Sequence, residues 1–145
     1  MNKKVRLLLF SFSGGLFLLL DQYCKHLAQI FPNFRWYLIP RIVGWEYFEN
    51  PGVAFGVPLP QFLILFYTPI ILATLFFFYK KKKRPSELFS FSIILIFFGA
   101  VSNFIDRVLF SLTIDYLRIF TGIFNIADFM ILGGAILLLW DQRKK

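Results

Sequence analysis

The sequence predicts a single integral-membrane domain over residues 1–145, all-α in class, with four transmembrane helices and a small β-cradle or flap on the outer leaflet. Hydrophobic residues make up 58% of the chain, against roughly 45–50% in an average soluble domain, and its mean hydropathy is +0.67. Four apolar runs approach the roughly 20 residues that a helix needs to cross a hydrocarbon core of about 30 Å. Most of the 16 Lys and Arg residues lie in clusters beside these runs.

The first apolar run has a basic start that is also typical of a signal peptide. No small-residue cleavage motif follows it, and Asp21, Gln22 and Lys25 continue its helical period, so we predict a retained first span. The second run carries Pro69, which predicts a kink. The four predicted spans cover about residues 7–28, 60–79, 86–105 and 124–140.

The basic clusters predict the orientation of the spans. Because Lys and Arg are enriched in cytoplasmic loops, the clusters at residues 3–6, 80–84 and 143–145 place both termini in the cytoplasm. Residues 29–59 and 107–122 then lie on the outer side. The longer outer segment is rich in aromatic residues, as at a membrane interface, and its alternation at residues 43–48 predicts a strand.

Composition excludes several classes of protein. A single Cys and a single His cannot form a multi-Cys/His metal site or a disulfide, so we expect no metal and no cofactor. The net charge of +8 is confined to span ends rather than spread over a polar face, so we expect no nucleic-acid partner.

The eight acidic residues separate into two groups. Glu87 and Asp141 adjoin cytoplasmic basic clusters, and Glu46 and Glu49 lie in the outer segment, so we expect all four to be solvated. The remaining four acids occupy more apolar surroundings, where an ionisable group costs on the order of 2.5–3.5 kcal/mol at the centre of a membrane. These four are Asp21, Asp106, Asp115 and Asp128.

Three of these acids have polar neighbours at helical spacing. Lys25 follows Asp21 by four residues, which predicts an ion pair that pins the end of the helix, an interpretation we favour over a direct chemical role. An amide precedes each of the other two acids, Asp106 and Asp128, by three residues. Because the third and fourth spans run in opposite directions, both clusters lie near the outer membrane face. The clusters are Asn103, Asp106 and Arg107 at the end of the third span, and Asn125 and Asp128 at the start of the fourth.

Asp115 and Asp128 are the residues that the sequence best suits to catalysis. A loop acid such as Asp115 is usually solvated, but it lies between apolar residues, and 13 residues of chain allow it to meet Asp128. Two adjacent carboxylates share one proton, so one acts as base towards water while the other supports a carbonyl oxygen. The serines have no evident His or Lys base nearby in sequence, and Cys24, although beside Lys25 and His26, is a lone Cys in an apolar helix, where packing is the commoner role.

Two alternatives use the same residues differently. A small proton or ion carrier also needs buried acids, but its path requires polar groups through the whole membrane depth. The inner halves of spans two, three and four offer only Thr74, Ser90 and Ser92. A non-enzymatic assembly protein leaves the two Asn-x-x-Asp clusters unexplained.

Five motifs stand in order along nearly the whole chain. They are Asp21-Gln22-Tyr23-Cys24-Lys25, Asn50-Pro51-Gly52-Val53-Ala54-Phe55, Gly99-Ala100-Val101-Ser102-Asn103-Phe104-Ile105-Asp106-Arg107, Ile114-Asp115-Tyr116 and Phe124-Asn125-Ile126-Ala127-Asp128. Each motif alone is weak. Five in order on a four-span topology resemble the lipoprotein signal peptidases (signal peptidase II).

The resemblance implies an aspartyl endopeptidase of the bacterial inner membrane that cleaves prolipoproteins before a diacylglyceryl-modified cysteine. Its partners are then these precursors and membrane lipids, it acts as a monomer, and its site faces the outer side. By motif, Asp115 and Asp128 match the catalytic pair, and we expect Arg107 to pair with Asp106 or Asp21. The positions that match substrate-binding or supporting residues are Asp21, Lys25, Asn50, Gly52, Asn103, Asp106, Arg107, Asn125 and Ala127.

The chain departs from the usual family pattern at several positions. Pro51 stands where Thr is common, Ser102 where Gly is frequent, and Ile114 and Tyr116 where Val and Phe are usual. These departures predict differences in the outer flap and in substrate preference rather than in the chemistry.

Overall fold

The computed structural model describes residues 2–52 and 59–143, which form four helices and one four-stranded antiparallel sheet. Val53, Ala54 and Phe55 of the second motif lie outside the described residues. The helices are α1 (Lys3–Ile30), α2 (Gln61–Lys81), α3 (Glu87–Phe110) and α4 (Ile126–Arg143). The strands are β1 (Arg35–Ile39), β2 (Val43–Asn50), β3 (Thr113–Ile119) and β4 (Gly122–Phe124).

Three of the helices in the described part of the chain, α1, α2 and α3, are long and apolar enough to cross a membrane. Helix α4 is shorter, with 18 residues that include Asp128, Asp141 and Arg143. Three of the predicted spans therefore correspond to helices that are long and apolar enough to cross a membrane, and the fourth span stays a prediction. The third helix is longer than predicted, because it continues through Arg107 to Phe110 instead of ending near residue 105.

Charged side chains join the helices at the end of the bundle that carries the basic clusters. Arg6 at the start of α1 forms an ion pair with Glu87 at the start of α3. Lys82, just after α2, lies 3.3 Å from Asp141 near the end of α4, and the Ser86 hydroxyl donates to the same carboxylate. Asp141 is only 6% exposed, so the expectation that it is solvated is wrong.

The sheet has the order β1-β2-β3-β4 and lies at the opposite end of the bundle. The strand predicted near residues 43–48 is confirmed as part of β2. Strands β3 and β4 are not predicted from the sequence, which indicated only an outer connection there. The first four residues of β3 are all buried, so this strand lacks the polar–apolar alternation that marks a half-buried strand.

An ionic cluster also joins the first three strands. Glu46 on β2 accepts hydrogen bonds from Arg118 on β3 and from Tyr37 on β1, and its side chain is 13% exposed. The Arg118 guanidinium holds the pKa of Glu46 below its usual range. The expectation of a solvated Glu46 is therefore wrong, whereas Glu49 is exposed as expected.

Close packing of α4 on α3 depends on Gly134. A Cβ built at this position would lie 2.7 Å from Cγ1 of Ile96 and 2.8 Å from the backbone oxygen of Ser92. A Cβ at the adjacent Gly133 would meet no atom within 4 Å from other parts of the described chain. Of these two adjacent glycines, Gly134 therefore lies at the close contact between α4 and α3.

Replacing Gly134 with Ala should destabilise the protein by about 1–3 kcal/mol, because the added methyl group forces α4 away from α3. Gly133→Ala is the matched control and should cause no loss of stability, since its methyl group enters open space. Thermal unfolding in detergent measures both variants. Equal midpoints for the two variants would contradict this description of the α3–α4 contact.

Candidate active site

Asp115 lies on β3 and is 1% exposed, so the structure does not place it in a solvated loop. Two side-chain amides hold its carboxylate. Asn50, at the end of β2, donates from Nδ2 to Oδ2 at 3.0 Å, and Asn125 donates from Nδ2 to Oδ1 at 2.6 Å. These bonds fix the position of the carboxylate beside the start of α4.

Asp128 lies in the first turn of α4 and takes part in the capping of that helix. Its backbone N–H donates to Oδ1 of Asn125 at 2.9 Å, and its Oδ2 accepts from the backbone N–H of Asn125 at 3.3 Å. This reciprocal arrangement is a capping box, which satisfies two free donors at a helix start. The other carboxylate oxygen, Oδ1, accepts from Nδ2 of Asn103 on α3 at 2.9 Å.

Asn125 thereby connects the two acids. Its amide nitrogen binds Asp115, and its amide oxygen and backbone N–H bind Asp128. Burial, followed by the negative charge of Asp128, raises the pKa of Asp115 to about 7. The amides of Asn50 and Asn125 and the charge of Lys25 act in the opposite direction on the same pKa.

Lys25 lies at the centre of a buried ionic network beside the two acids. Its Nζ is 2.8 Å from Oδ2 of Asp21 and 2.9 Å from Oδ2 of Asp106, and it donates to Oδ1 of Asn103 at 2.9 Å. The predicted Asp21–Lys25 ion pair is confirmed. Asn103 also donates to Asp128, so its side-chain amide links the ionic network to the carboxylate pair by hydrogen bonds.

Asp106 braces the start of β3 rather than facing the carboxylate pair. Its Oδ2 accepts the backbone N–H of Ile114 at 3.1 Å, and its Oδ1 accepts from Nε2 of Gln22 at 3.0 Å. These contacts agree with the supporting role that the resemblance implies. The acid is 1% exposed, so every contact it makes is made away from solvent.

Arg107 does not pair with Asp106 or Asp21, so that expectation is wrong. Lys25 already lies between those two carboxylates, and Arg107 points to another side of α3. Its Nη2 donates to the backbone oxygen of Gly52 at 3.2 Å, and its Nη1 donates to that of Asn103 at 3.3 Å. Its buried Nε has no hydrogen-bond partner among the residues that the structure describes.

Gly52 and Ala127 contribute through their backbone and their small size. The N–H of Gly52 donates to Oδ1 of Asn50 at 3.0 Å, which forms a turn around the amide that holds Asp115. Ala127 is fully buried, and its carbonyl oxygen would lie 2.7 Å from a Cβ at Gly99. The start of α4 therefore packs directly on the backbone of α3.

A cavity of about 530 Å³ opens beside Asp128, between α2, α3 and α4. Its walls are mostly apolar, and its polar side chains include Asn103, Arg107 and Asp128. An apolar cleft with a few converging polar groups is the usual form of a ligand site. The remaining lining residues are Ile64, Thr68, Ala100, Ile119, Phe124, Phe129, Ile131, Leu132 and Ala135.

Three further polar side chains belong to the site but have no role assigned from the sequence. Gln22 donates to Ser102 and Asp106, the Ser102 hydroxyl donates to Asp21 at 2.6 Å, and Tyr116 donates to Asp21 at 2.8 Å. Gln22 and Ser102 are polar residues inside apolar runs, a signal that could have identified them. Tyr116 carries no such signal, because tyrosine is common in strands.

Comparison with known proteins identifies the family. The family model described as signal peptidase (SPase) II matches residues 14–143. The chain belongs to the signal peptidase II family. Among relatives named lipoprotein signal peptidase, that of Syntrophus aciditrophicus is 38% identical, with 98% of this chain and 96% of the relative covered. That of Chlorobium phaeobacteroides is 35% identical, with 93% and 96% covered.

Two solved structures with titles describing a bacterial membrane enzyme have the same fold as this signal peptidase II chain. The first, at 2.3 Å resolution, superposes with a TM-score of 0.85 at 27% identity and covers 95% of this chain and 87% of its own. The second, at 1.9 Å resolution, has a TM-score of 0.79 at 27% identity and covers 94% and 91%. This protein is therefore a membrane-embedded peptidase.

Proposed function

We propose that this protein removes signal peptides from bacterial lipoprotein precursors by cleaving before a diacylglyceryl-modified cysteine, with Asp115 and Asp128 as the catalytic pair. The names of its relatives support the reaction. The observation that carries the choice of residues is the bridge through Asn125, which holds both carboxylates together at the start of α4. Asp128 also borders the apolar cavity.

The chemistry is amide hydrolysis by an activated water. The two carboxyl groups share one proton near neutral pH. We assign this proton to Asp115, whose pKa burial and the charge of Asp128 raise to about 7, and the role of base to Asp128. Asp128 takes a proton from water, and Asp115 supports the carbonyl oxygen of the scissile bond. The proton then passes to the leaving nitrogen, which returns the pair to its starting state.

The cavity suits the apolar part of a signal peptide. Its walls from α2, α3 and α4 would receive the peptide, while Arg107, at its polar end, would bind a backbone carbonyl. The acyl chains of the substrate stay in the bilayer beside α4. We place both termini and the basic clusters in the cytoplasm, the sheet at the outer face of the inner membrane, and the active unit as a monomer with four spans.

A proton or ion carrier is not favoured. Thr74, Ser90 and Ser92, in the inner halves of α2 and α3, each donate to a backbone carbonyl four residues earlier, at 2.7, 2.9 and 2.6 Å. These three groups are thus already satisfied within the helices and form no continuous polar path across the bundle.

The decisive experiment offers the purified protein two forms of one lipoprotein precursor. We expect cleavage of the precursor that carries the diacylglyceryl group and little or no cleavage of the unmodified form, because the acyl chains hold the scissile bond at the membrane surface. Mass spectrometry of the products locates the cleaved bond. Failure to cleave the lipidated precursor, or cleavage at another bond, would contradict the proposed function.

A further inference from the structure

Tyr116 follows Asp115 on β3, and its side chain lies on the opposite face of the strand from that carboxylate. It is 1% exposed, and its ring packs against Trp45 with 4.9 Å between the ring centroids. Ala28 and Ile114 complete the surrounding apolar cluster. A phenol buried to this degree needs a polar partner for its hydroxyl group.

The hydroxyl of Tyr116 finds its partners at the junction of α1 and α4. It donates to Oδ1 of Asp21 at 2.8 Å and accepts from the backbone N–H of Ile126 at 3.3 Å. The same N–H donates to Oδ1 of Asp21 at 2.9 Å. Burial and the charge of Asp21 raise the pKa of Tyr116 above its usual range, so the hydroxyl remains a donor at working pH.

Strand β3 is therefore held to the start of α4 from both of its faces. On one face Asn125 binds Asp115, and on the other Tyr116 binds the first residue of the helix, Ile126. Contacts on one face alone would leave the helix free to pivot about them, whereas contacts on both faces fix its orientation relative to the strand. Asp128 lies two residues after Ile126, so it moves with this end of the helix.

On the basis of the proposed function, we propose that Tyr116 is a positioning residue that sets the separation of the two catalytic carboxylates. Tyr116 stands where Phe is usual in the family, so this departure bears on the chemistry as well as on the outer flap. The tyrosine touches neither the substrate nor the reacting atoms. It acts through the first turn of α4, where its hydroxyl reinforces the hold of Asp21 on Ile126. Without this contact, the side chain of Asn125 still binds Asp115, and Asp21 and Asn103 still bind Ile126 and Asp128, but Tyr116 no longer ties β3 directly to the first residue of α4.

The test is Tyr116→Phe, which keeps the ring and its contact with Trp45 and removes the hydroxyl. We expect kcat to fall about tenfold with KM within about twofold, because a small displacement of a catalytic group lowers the rate more than binding. We also expect the alkaline limb of the kcat/KM profile to move to lower pH. The charge of Asp128 raises the pKa of Asp115, and a wider spacing weakens that effect.

The other charged groups that act on Asp115 are Lys25 on α1 and Arg107 on α3, and the substitution leaves both in place. The control variant is Tyr37→Phe, which removes a tyrosine–carboxylate contact between two strands of the same sheet, far from α4. It should retain the wild-type kcat and pH profile. All rates are normalised to the monodisperse folded fraction from size-exclusion chromatography.

An unchanged kcat and alkaline limb in Tyr116→Phe would overturn the inference, even if the melting temperature falls, because the hydroxyl would then be purely structural. This result differs from a failure of the proposed function. In that case the wild-type enzyme itself would not cleave the lipidated precursor.

Discussion

Asp128→Asn should reduce cleavage of a lipidated precursor by at least about 10² to 10⁴-fold while the protein still folds and inserts, and Asp115→Asn should do the same. An amide has the volume of the carboxylate but cannot take a proton from water or return one to a leaving nitrogen. In each variant one member of the pair therefore loses its function in proton transfer. The measurement is kcat/KM on the purified, lipidated substrate.

Asp141→Asn is the matched control for this pair. It makes the same substitution in the same helix, at a buried carboxylate that binds Ser86 and Lys82 at the far end of α4. It should lower the melting temperature and leave kcat/KM within about twofold. If Asp128→Asn and Asp141→Asn lower activity equally, the loss comes from damage to α4, and Asp128 is then not a catalytic residue.

The sequence predicted the helices well because their physical signal is local. An apolar run of membrane length needs no knowledge of its neighbours, and the first three runs became α1, α2 and α3. The pair Asp21 and Lys25 was predictable for the same reason, since a spacing of four residues fixes their proximity on one helix. The approach of Asp115 to Asp128 was expected from chain length, and Asn125 was expected among the supporting residues, but the sequence did not indicate that its one side chain binds both acids.

The predictions that were wrong concern side chains whose partners come from distant parts of the sequence. The Asp106 side chain was expected to bind its neighbour Arg107, but Lys25, 81 positions earlier, occupies that carboxylate instead. Asp141 was expected to be solvated, but Ser86 and Lys82 cover it. The sequence spacing of charged residues indicates which side chains can form ion pairs. The packing of α1 and α4 on α3 determines which of these pairs form.

The second large effect is on stability. Lys25→Met should lower the free energy of unfolding by about 3–5 kcal/mol, because it leaves the carboxylates of Asp21 and Asp106 buried beside each other without the ammonium group. Met retains most of the aliphatic length, so the loss of packing is small. For a chain of this size we expect the midpoint of thermal unfolding in detergent to fall by about 10 °C.

Arg6→Gln provides the comparison, because it also removes one cation from an ion pair between α1 and α3. The side chain of its partner, Glu87, is 68% exposed, whereas the side chains of Asp21 and Asp106 are 0% and 1% exposed. Solvent compensates the exposed carboxylate, so Arg6→Gln should cost less than about 1 kcal/mol. Equal losses in the two variants would mean that the Lys25 network is no more dependent on its cation than a surface pair.

Lys25→Met should also reduce activity beyond its effect on stability. Lys25 donates to Oδ1 of Asn103, and the amide nitrogen of Asn103 donates to Asp128. Without the ammonium group this amide is free to rotate, and Asp128 loses a fixed donor. Measured at a temperature where the variant is fully folded, kcat should therefore fall while Arg6→Gln keeps the wild-type rate. A folded Lys25→Met enzyme with full kcat would show that the network stabilises the bundle without orienting the catalytic pair.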